Sequence, residues 1–138
     1  MKRLAVLFLM IFCISGFKAA IRAQSSPVMY FCEKYDPSYG ETGISDRFTK
    51  GYLTIMVKAD KPLGLKNVHI QFDKFNWYTH KFEYYKKYNY VVDPDMSYIF
   101  FAKNEESDLK FDEAGLYRVF LLNDDNENVA SALIEIID

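Results

Sequence analysis

The chain has 138 residues, with 17 basic and 19 acidic side chains giving a net charge of −2, and half of its residues are hydrophobic. That length holds one ordinary domain and excludes a multidomain enzyme. The near-neutral charge excludes a basic nucleic-acid-binding face, and the apolar content excludes a disordered chain.

The first element is not part of the domain. Met1, Lys2 and Arg3 give a positive start, residues 4–17 are almost unbroken apolar, and small and polar residues lead to Ala23 and Gln24. This three-part layout is that of a secretory signal peptide, cleaved here after Ala23. The apolar run falls short of the roughly 20 residues that cross a bilayer as a helix. Neither Cys13, which follows Phe12, nor Cys32, far beyond the run, is placed for lipidation. The expected product is an exported protein, periplasmic or secreted. Removing residues 1–23 takes four basic residues and no acid, so 115 residues remain with a net charge of −6. Cys32 becomes the single cysteine, which removes any intrachain disulfide. Nine Phe, eleven Tyr and one Trp remain.

Strands follow throughout. Residues 28–32 come first. Leu53, Ile55 and Val57 alternate with Thr54, Met56 and Lys58, and Val68, Ile70 and Phe72 alternate with His69, Gln71 and Asp73. This is the period of two expected of half-buried strands. Residues 82–92 are rich in Tyr, 98–102 are apolar, and 116–122 and 129–137 close the chain. Turn chemistry separates these runs at residues 60–64, at Asp93-Pro94-Asp95 and at residues 123–128. No stretch carries a helical apolar stripe. About seven strands at this spacing predict one all-β domain over residues 24–138, an antiparallel sandwich.

The segment 111–120, Phe-Asp-Glu-Ala-Gly-Leu-Tyr-Arg-Val-Phe, resembles the penultimate strand of immunoglobulin-like domains. There an acidic residue, then Gly or Ala, precedes a Tyr whose hydroxyl turns back to the backbone as a tyrosine corner. The resemblance implies that Tyr117, entered through Gly115, plays that part. It implies that Val119 takes the core position that antibody domains give to cysteine, and makes Trp77 the candidate inter-sheet tryptophan. Residues 53–57, 62–63 and 68–70 also resemble the opening of transthyretin-like sandwiches, which share the layers and differ in wiring. Both resemblances speak to architecture, since sandwiches serve many unrelated functions.

Candidate chemistry is sparse. A hairpin turn at residues 73–76 would set His69 and His80 opposite each other, with Asp73 as a third metal ligand, although the spacing matches no zinc pattern. Acidic residues gather in loops at Asp93 and Asp95, at Glu105, Glu106 and Asp108, and at Asp124, Asp125 and Glu127. Calcium is the functional reading of these loops, and solvated turns the plainer one. Cys32 lies in an apolar run and reads as a small buried hydrophobe rather than a nucleophile. No nucleophile elbow, phosphate loop or other catalytic pattern is present.

The densest feature is aromatic. Phe75, Trp77, Tyr78, Phe82, Tyr84, Tyr85, Tyr88 and Tyr90 fall within sixteen residues, interleaved with lysines. A continuous strand puts Tyr78, Phe82, Tyr84, Tyr88 and Tyr90 on one face and Trp77 and Tyr85 on the other. Rings on both faces exceed what one core absorbs, so some serve as contact surface, and Trp77, Tyr78, Tyr85 and Tyr88 are the chosen anchors. Lysines among aromatics also suit single-stranded nucleic acid, but the net −6 opposes it. The sequence thus predicts a non-catalytic exported domain without cofactor, contacting a protein or polysaccharide. A small metal-binding protein, and an assembly subunit pairing through an edge strand, are the alternatives.

Overall fold

Alternating apolar residues produce strands wherever the sequence shows the period of two. The computed structural model describes residues 26–104 and 107–138. The expected signal peptide and its cleavage point after Ala23 lie outside these residues, as do Glu105 and Glu106 of one acidic loop. In chain order the strands are β1 (Val28–Cys32), β2 (Lys34–Asp36), β3 (Gly40–Thr42), β4 (Arg47–Thr49), β5 (Gly51–Tyr52) and β6 (Thr54–Lys58). They continue as β7 (Asn67–Asn76), β8 (Lys81–Val91), β9 (Tyr98–Phe101), β10 (Lys110–Phe111), β11 (Gly115–Leu122) and β12 (Asn128–Ile137). All seven expected strands are present as β1, β6, β7, β8, β9, β11 and β12. The count is higher than expected because β2, β3, β4, β5 and β10 are two or three residues long, too short to show a period.

Two sheets carry the domain. One has the order β1-β6-β9, the other β4-β12-β11-β7-β8, and two small ribbons, β2-β3 and β10-β5, stand beside them. The first, second and fifth long strands thus share one sheet, and the third, fourth, sixth and seventh share the other. Every pairing is antiparallel except β4, which runs parallel to β12 and aligns Phe48 with Ile136. This distribution is that of an immunoglobulin-like sandwich. The wiring follows the first of the two resemblances.

The core lies between the sheets. Phe31, Ile55, Val57, Ile99 and Phe101 from the smaller sheet meet Val68, Ile70, Phe72, Tyr117, Val119, Leu121, Ile134 and Ile136 from the larger. These are the alternate positions of each strand, as a half-buried pleat requires. Phe111 adds an edge-to-face contact to both Phe72 and Tyr117, with ring centres 5.1 and 5.2 Å apart. Val119 is fully buried at the position the resemblance assigned to it.

The Tyr117 ring is also fully buried, and its hydroxyl donates to the Glu113 carbonyl at 2.7 Å. This is a tyrosine corner, closing the loop that leads into β11. Burial, then the neighbouring Tyr85 and Glu113 charges, hold the phenol well above its ordinary range. Gly115 enters the strand at φ +150°, a conformation that side-chain-bearing residues rarely adopt. Replacing Tyr117 by Phe keeps the ring and removes the corner bond. It is expected to lower the unfolding free energy by about 1 kcal/mol in urea titration, with the slope unchanged. An unchanged midpoint would show that the corner does not tie this loop.

Candidate functional site

The Tyr-rich strand does not keep one register. Along β7 and β8, Phe72 pairs with Lys86 but Asp73 pairs with Tyr84, which leaves Tyr85 as an extra residue in a β-bulge. A bulge re-aims every side chain beyond it. Phe82 and Tyr84, before the bulge, face outward with Asp73 and Phe75. Tyr88 and Tyr90, after it, face inward with Ile70 and Val68, their register partners. The single face expected for Tyr78, Phe82, Tyr84, Tyr88 and Tyr90 therefore does not form. Alternation predicts such a face only where no residue is inserted.

Rings after the bulge hold the interior together. The Tyr88 hydroxyl donates to the Asp108 carbonyl at 2.6 Å, and the Tyr90 hydroxyl lies 2.6 Å from Ser107 Oγ and 3.3 Å from the Ala102 carbonyl oxygen. Both tyrosines thereby clamp the segment that leads from β9 to β10. Tyr85 packs edge-to-face on Tyr117 at 5.6 Å. The ammonium of Lys86 sits between the rings of Phe72, Tyr85 and Tyr88 at 5.6, 5.3 and 5.6 Å and donates to the Lys110 carbonyl. Burial lowers the pKa of that lysine, against the opposing pull of Asp112. Of the four chosen anchors, Tyr85 and Tyr88 are thus half-buried and engaged within the fold.

The other two stand at the hairpin tip. The β7–β8 turn occupies residues 77–80, closed by His80 at φ +54°. Trp77 is 67% exposed and Tyr78 97%, and Tyr84 joins them at 66%. Trp77 is accordingly not an inter-sheet tryptophan; its ring packs on Phe75 at 4.7 Å, and Phe75 on Phe82 at 5.2 Å. Polar groups set the tip. Asn76 Oδ1 accepts from the amides of Tyr78 and Thr79 at 2.9 and 3.3 Å, and Asn76 Nδ2 donates to Glu83 at 3.0 Å. Thr79 Oγ1 donates to the other Glu83 oxygen at 2.8 Å. These bonds, that of Asn76 first, hold the Glu83 carboxyl below its ordinary pKa. Between tip and bulge opens a pocket of about 390 Å³, with Lys74, Phe75, Trp77, Tyr78, Tyr84 and Tyr85 in its walls.

The outward face continues across the sheet. The Arg118 guanidinium lies 4.8 Å from the Phe82 ring and 4.7 Å from Phe120, and 3.6 Å from Asp73, which also accepts from Gln71 at 2.8 Å. Asp73 is therefore occupied by this pair. His69 faces Asn89 across the ladder and bonds its side chain at 2.7 Å, whereas His80 is in the turn beyond the last pair. The expected His69, His80 and Asp73 cluster does not assemble, because the turn lies at residues 77–80 and not at 73–76. Among the described residues, no three His, Cys, Asp or Glu side chains come together as metal ligands. At the β11–β12 turn, Asn123 Oδ1 accepts from the amides of Asp125 and Glu127.

A solved structure of an immunoglobulin-like protein from Pseudomonas aeruginosa is similar to this chain, at 10% identity and a TM-score of 0.45, covering 83% of this chain and 99% of that one. No protein family and no curated protein matches the chain. Among the described residues, no helix is long and apolar enough to cross a membrane.

One cluster escaped the sequence reading. Glu41 accepts from the hydroxyls of both Tyr30 and Tyr98 and lies 3.0 Å from the Lys58 ammonium. Those bonds, Tyr30 first, hold its carboxyl down at about 2. Burial, then the bond to Glu41, pushes the Tyr30 phenol up to about 12. Four residues scattered from 30 to 98 carry no local spacing that announces such a cluster.

The tip network yields a direct test. Replacing Asn76 by Ala is expected to speed hydrogen exchange at the Tyr78 and Thr79 amides about tenfold or more, with global stability within about 1 kcal/mol. Unchanged exchange would mean that the turn is held without Asn76.

Proposed function

We propose that this protein is an exported, non-catalytic binding module whose contact surface is the aromatic tip of the β7–β8 hairpin. The observation that carries the reading is the exposure of Trp77, Tyr78 and Tyr84 on a turn fixed by Asn76, Thr79 and Glu83. Clustered exposed rings offer large apolar contact area with a polar handle, and a pre-set turn lowers the entropy lost on binding. Tyr and Trp are the residues that dominate protein interfaces when held this way.

A protein partner suits the tip better than a polysaccharide. Sugar recognition needs polar side chains reaching ring hydroxyls beside the stacking plane. Here the amide of Asn76 and the carboxylate of Glu83 are already bonded to each other and to the turn. What the tip offers is aromatic area, the anchor of a protein interface. Tyr85 contributes one wall of the pocket beneath those rings, and Tyr88 acts by holding the loop behind it.

Site-specific photo-crosslinking in the producing cells tests this reading. A benzophenone side chain at position 78 or 84 is expected to yield a discrete protein adduct, and one at Val91, past the bulge on the same strand, none. Trp77→Ala is expected to weaken the captured complex about thirtyfold, the loss typical of a hot-spot aromatic. Adducts at Val91 but not at the tip would overturn the proposal. Retardation on a polysaccharide gel that Trp77→Ala abolishes would reassign the surface to glycan.

A further inference from the structure

The β2–β3 ribbon covers a floor that belongs to neither side of the core. Cys32, Thr54 and Met56 alternate with the core residues Phe31, Ile55 and Val57, so they point to the outer face of the β1-β6-β9 sheet. They are nevertheless 0%, 5% and 0% exposed. Met56 lies in register between Tyr30 and Phe100, and Tyr35 of β2 packs on Phe100 and Tyr98 at 4.8 and 5.6 Å. The ribbon lies against this face through Tyr35 and Glu41.

Its attachments are few. Among the described residues, β2 and β3 pair only with each other. The chain leaves β1 through Glu33 and returns through Gly43, where Glu33 N donates to the carbonyls of Thr42 and Gly43 at 3.0 and 3.3 Å. Gly43 has φ +65°, and a Cβ there would lie 2.6 Å from the Glu33 side chain. Both chain ends of the ribbon thus meet at one narrow neck. Beyond it, the ring of Tyr35 and the carboxylate of Glu41 fasten the ribbon to the sheet. Glu41 reaches one donor on each strand of that sheet, Tyr30 on β1, Lys58 on β6 and Tyr98 on β9. The Lys58 ammonium also lies 4.5 Å from the Tyr98 ring centre and 5.5 Å from that of Tyr30. Charge-assisted bonds converging on one carboxylate are the strong kind, and they are lost together when that carboxylate is removed.

We infer that the β2–β3 ribbon is a latched strap, hinged at Glu33 and Gly43, which swings as a unit when Glu41 leaves its three donors and uncovers Cys32 and Met56. The two sheets do not need the strap for their ladders or their shared core, so it opens without global unfolding. Local opening of this kind is the low-free-energy motion expected of an element with few backbone bonds to its surroundings. The thiol of Cys32, whose pKa burial raises, reports the opening because no reagent reaches it with the strap closed.

Alkylation of Cys32 by iodoacetamide, read on its peptide by mass spectrometry, tests the inference in the full chain. Glu41→Gln is expected to raise the labelling rate at least tenfold. Tyr98→Phe, a milder change that removes one donor, is expected to raise it severalfold. In both variants the rate is expected to be nearly independent of urea below the unfolding transition, the signature of local opening. Rates equal to wild type in both variants would overturn the latch. Rates that climb with urea as steeply as global unfolding would overturn the strap, since Cys32 would then be reached only through the unfolded chain.

Discussion

The inserted residue at Tyr85 is the constraint on which the functional reading depends. Without it, β8 would present Phe82, Tyr84, Tyr88 and Tyr90 on one side, and a uniform aromatic face would either bury itself or aggregate. With it, the strand is divided. The half after the bulge turns its tyrosines inward, where their hydroxyls reach Asp108, Ala102 and Ser107. The half before it turns outward and ends in a tip of exposed rings. One strand therefore both braces the sandwich and carries the exposed rings proposed as its contact surface. The bulge also twists an edge strand whose lysines discourage ladder growth, which disfavours strand-to-strand assembly along it.

Around that division the sandwich supplies rigidity. Tyr117 ties the entry of β11 to Glu113, and Phe111 locks Phe72 and Tyr117 into one aromatic corner. Tyr85 leans on the same corner, so the bulge rests on these buried rings. The tip is thus anchored from below by ring packing and fixed from above by the Asn76 and Glu83 bonds. On the opposite sheet the β2–β3 ribbon shows the reverse design, an element with little backbone pairing to its sheet, held by the Glu41 carboxylate and the Tyr35 ring. Because Glu41 titrates far below an ordinary glutamate, that contact adds stability above roughly pH 4.3, the ordinary carboxylate value, and loses it as pH falls toward 2.

Much of the fold was legible because strands announce themselves by alternation. The seven long strands and the core positions Ile55, Val57, Val68 and Ile70 follow from local patterns, whereas the tyrosine corner and the burial of Val119 were implied by the resemblance of segment 111–120 to immunoglobulin-like domains. The short strands β2, β3, β4, β5 and β10 do not, since two or three residues hold no period. Of the candidate site, the sequence singled out the β7–β8 pair by its aromatic content and named Trp77 and Tyr78, which are exposed. It did not foresee that Tyr85 and Tyr88 are half-buried and engaged within the fold, because a bulge depends on the partner strand and leaves no mark on the chain that bears it. The turn position failed likewise: four loop residues rather than an earlier turn at 73–76 moved His80 away from His69. The Glu41 cluster was invisible for a third reason, as its residues meet only when the ribbon folds over a sheet built from distant strands.

Hydroxyl-radical footprinting of the aromatic side chains, resolved by peptide mass spectrometry, tests the division of β8 most directly. The account predicts rapid oxidation of Trp77, Tyr78 and Tyr84 and slow oxidation of Tyr88, Tyr90 and Tyr117 in the folded protein. Oxidation of Tyr88 and Tyr90 at the rate of Tyr84 would contradict it, placing all these rings on one open face and removing the bulge from the explanation.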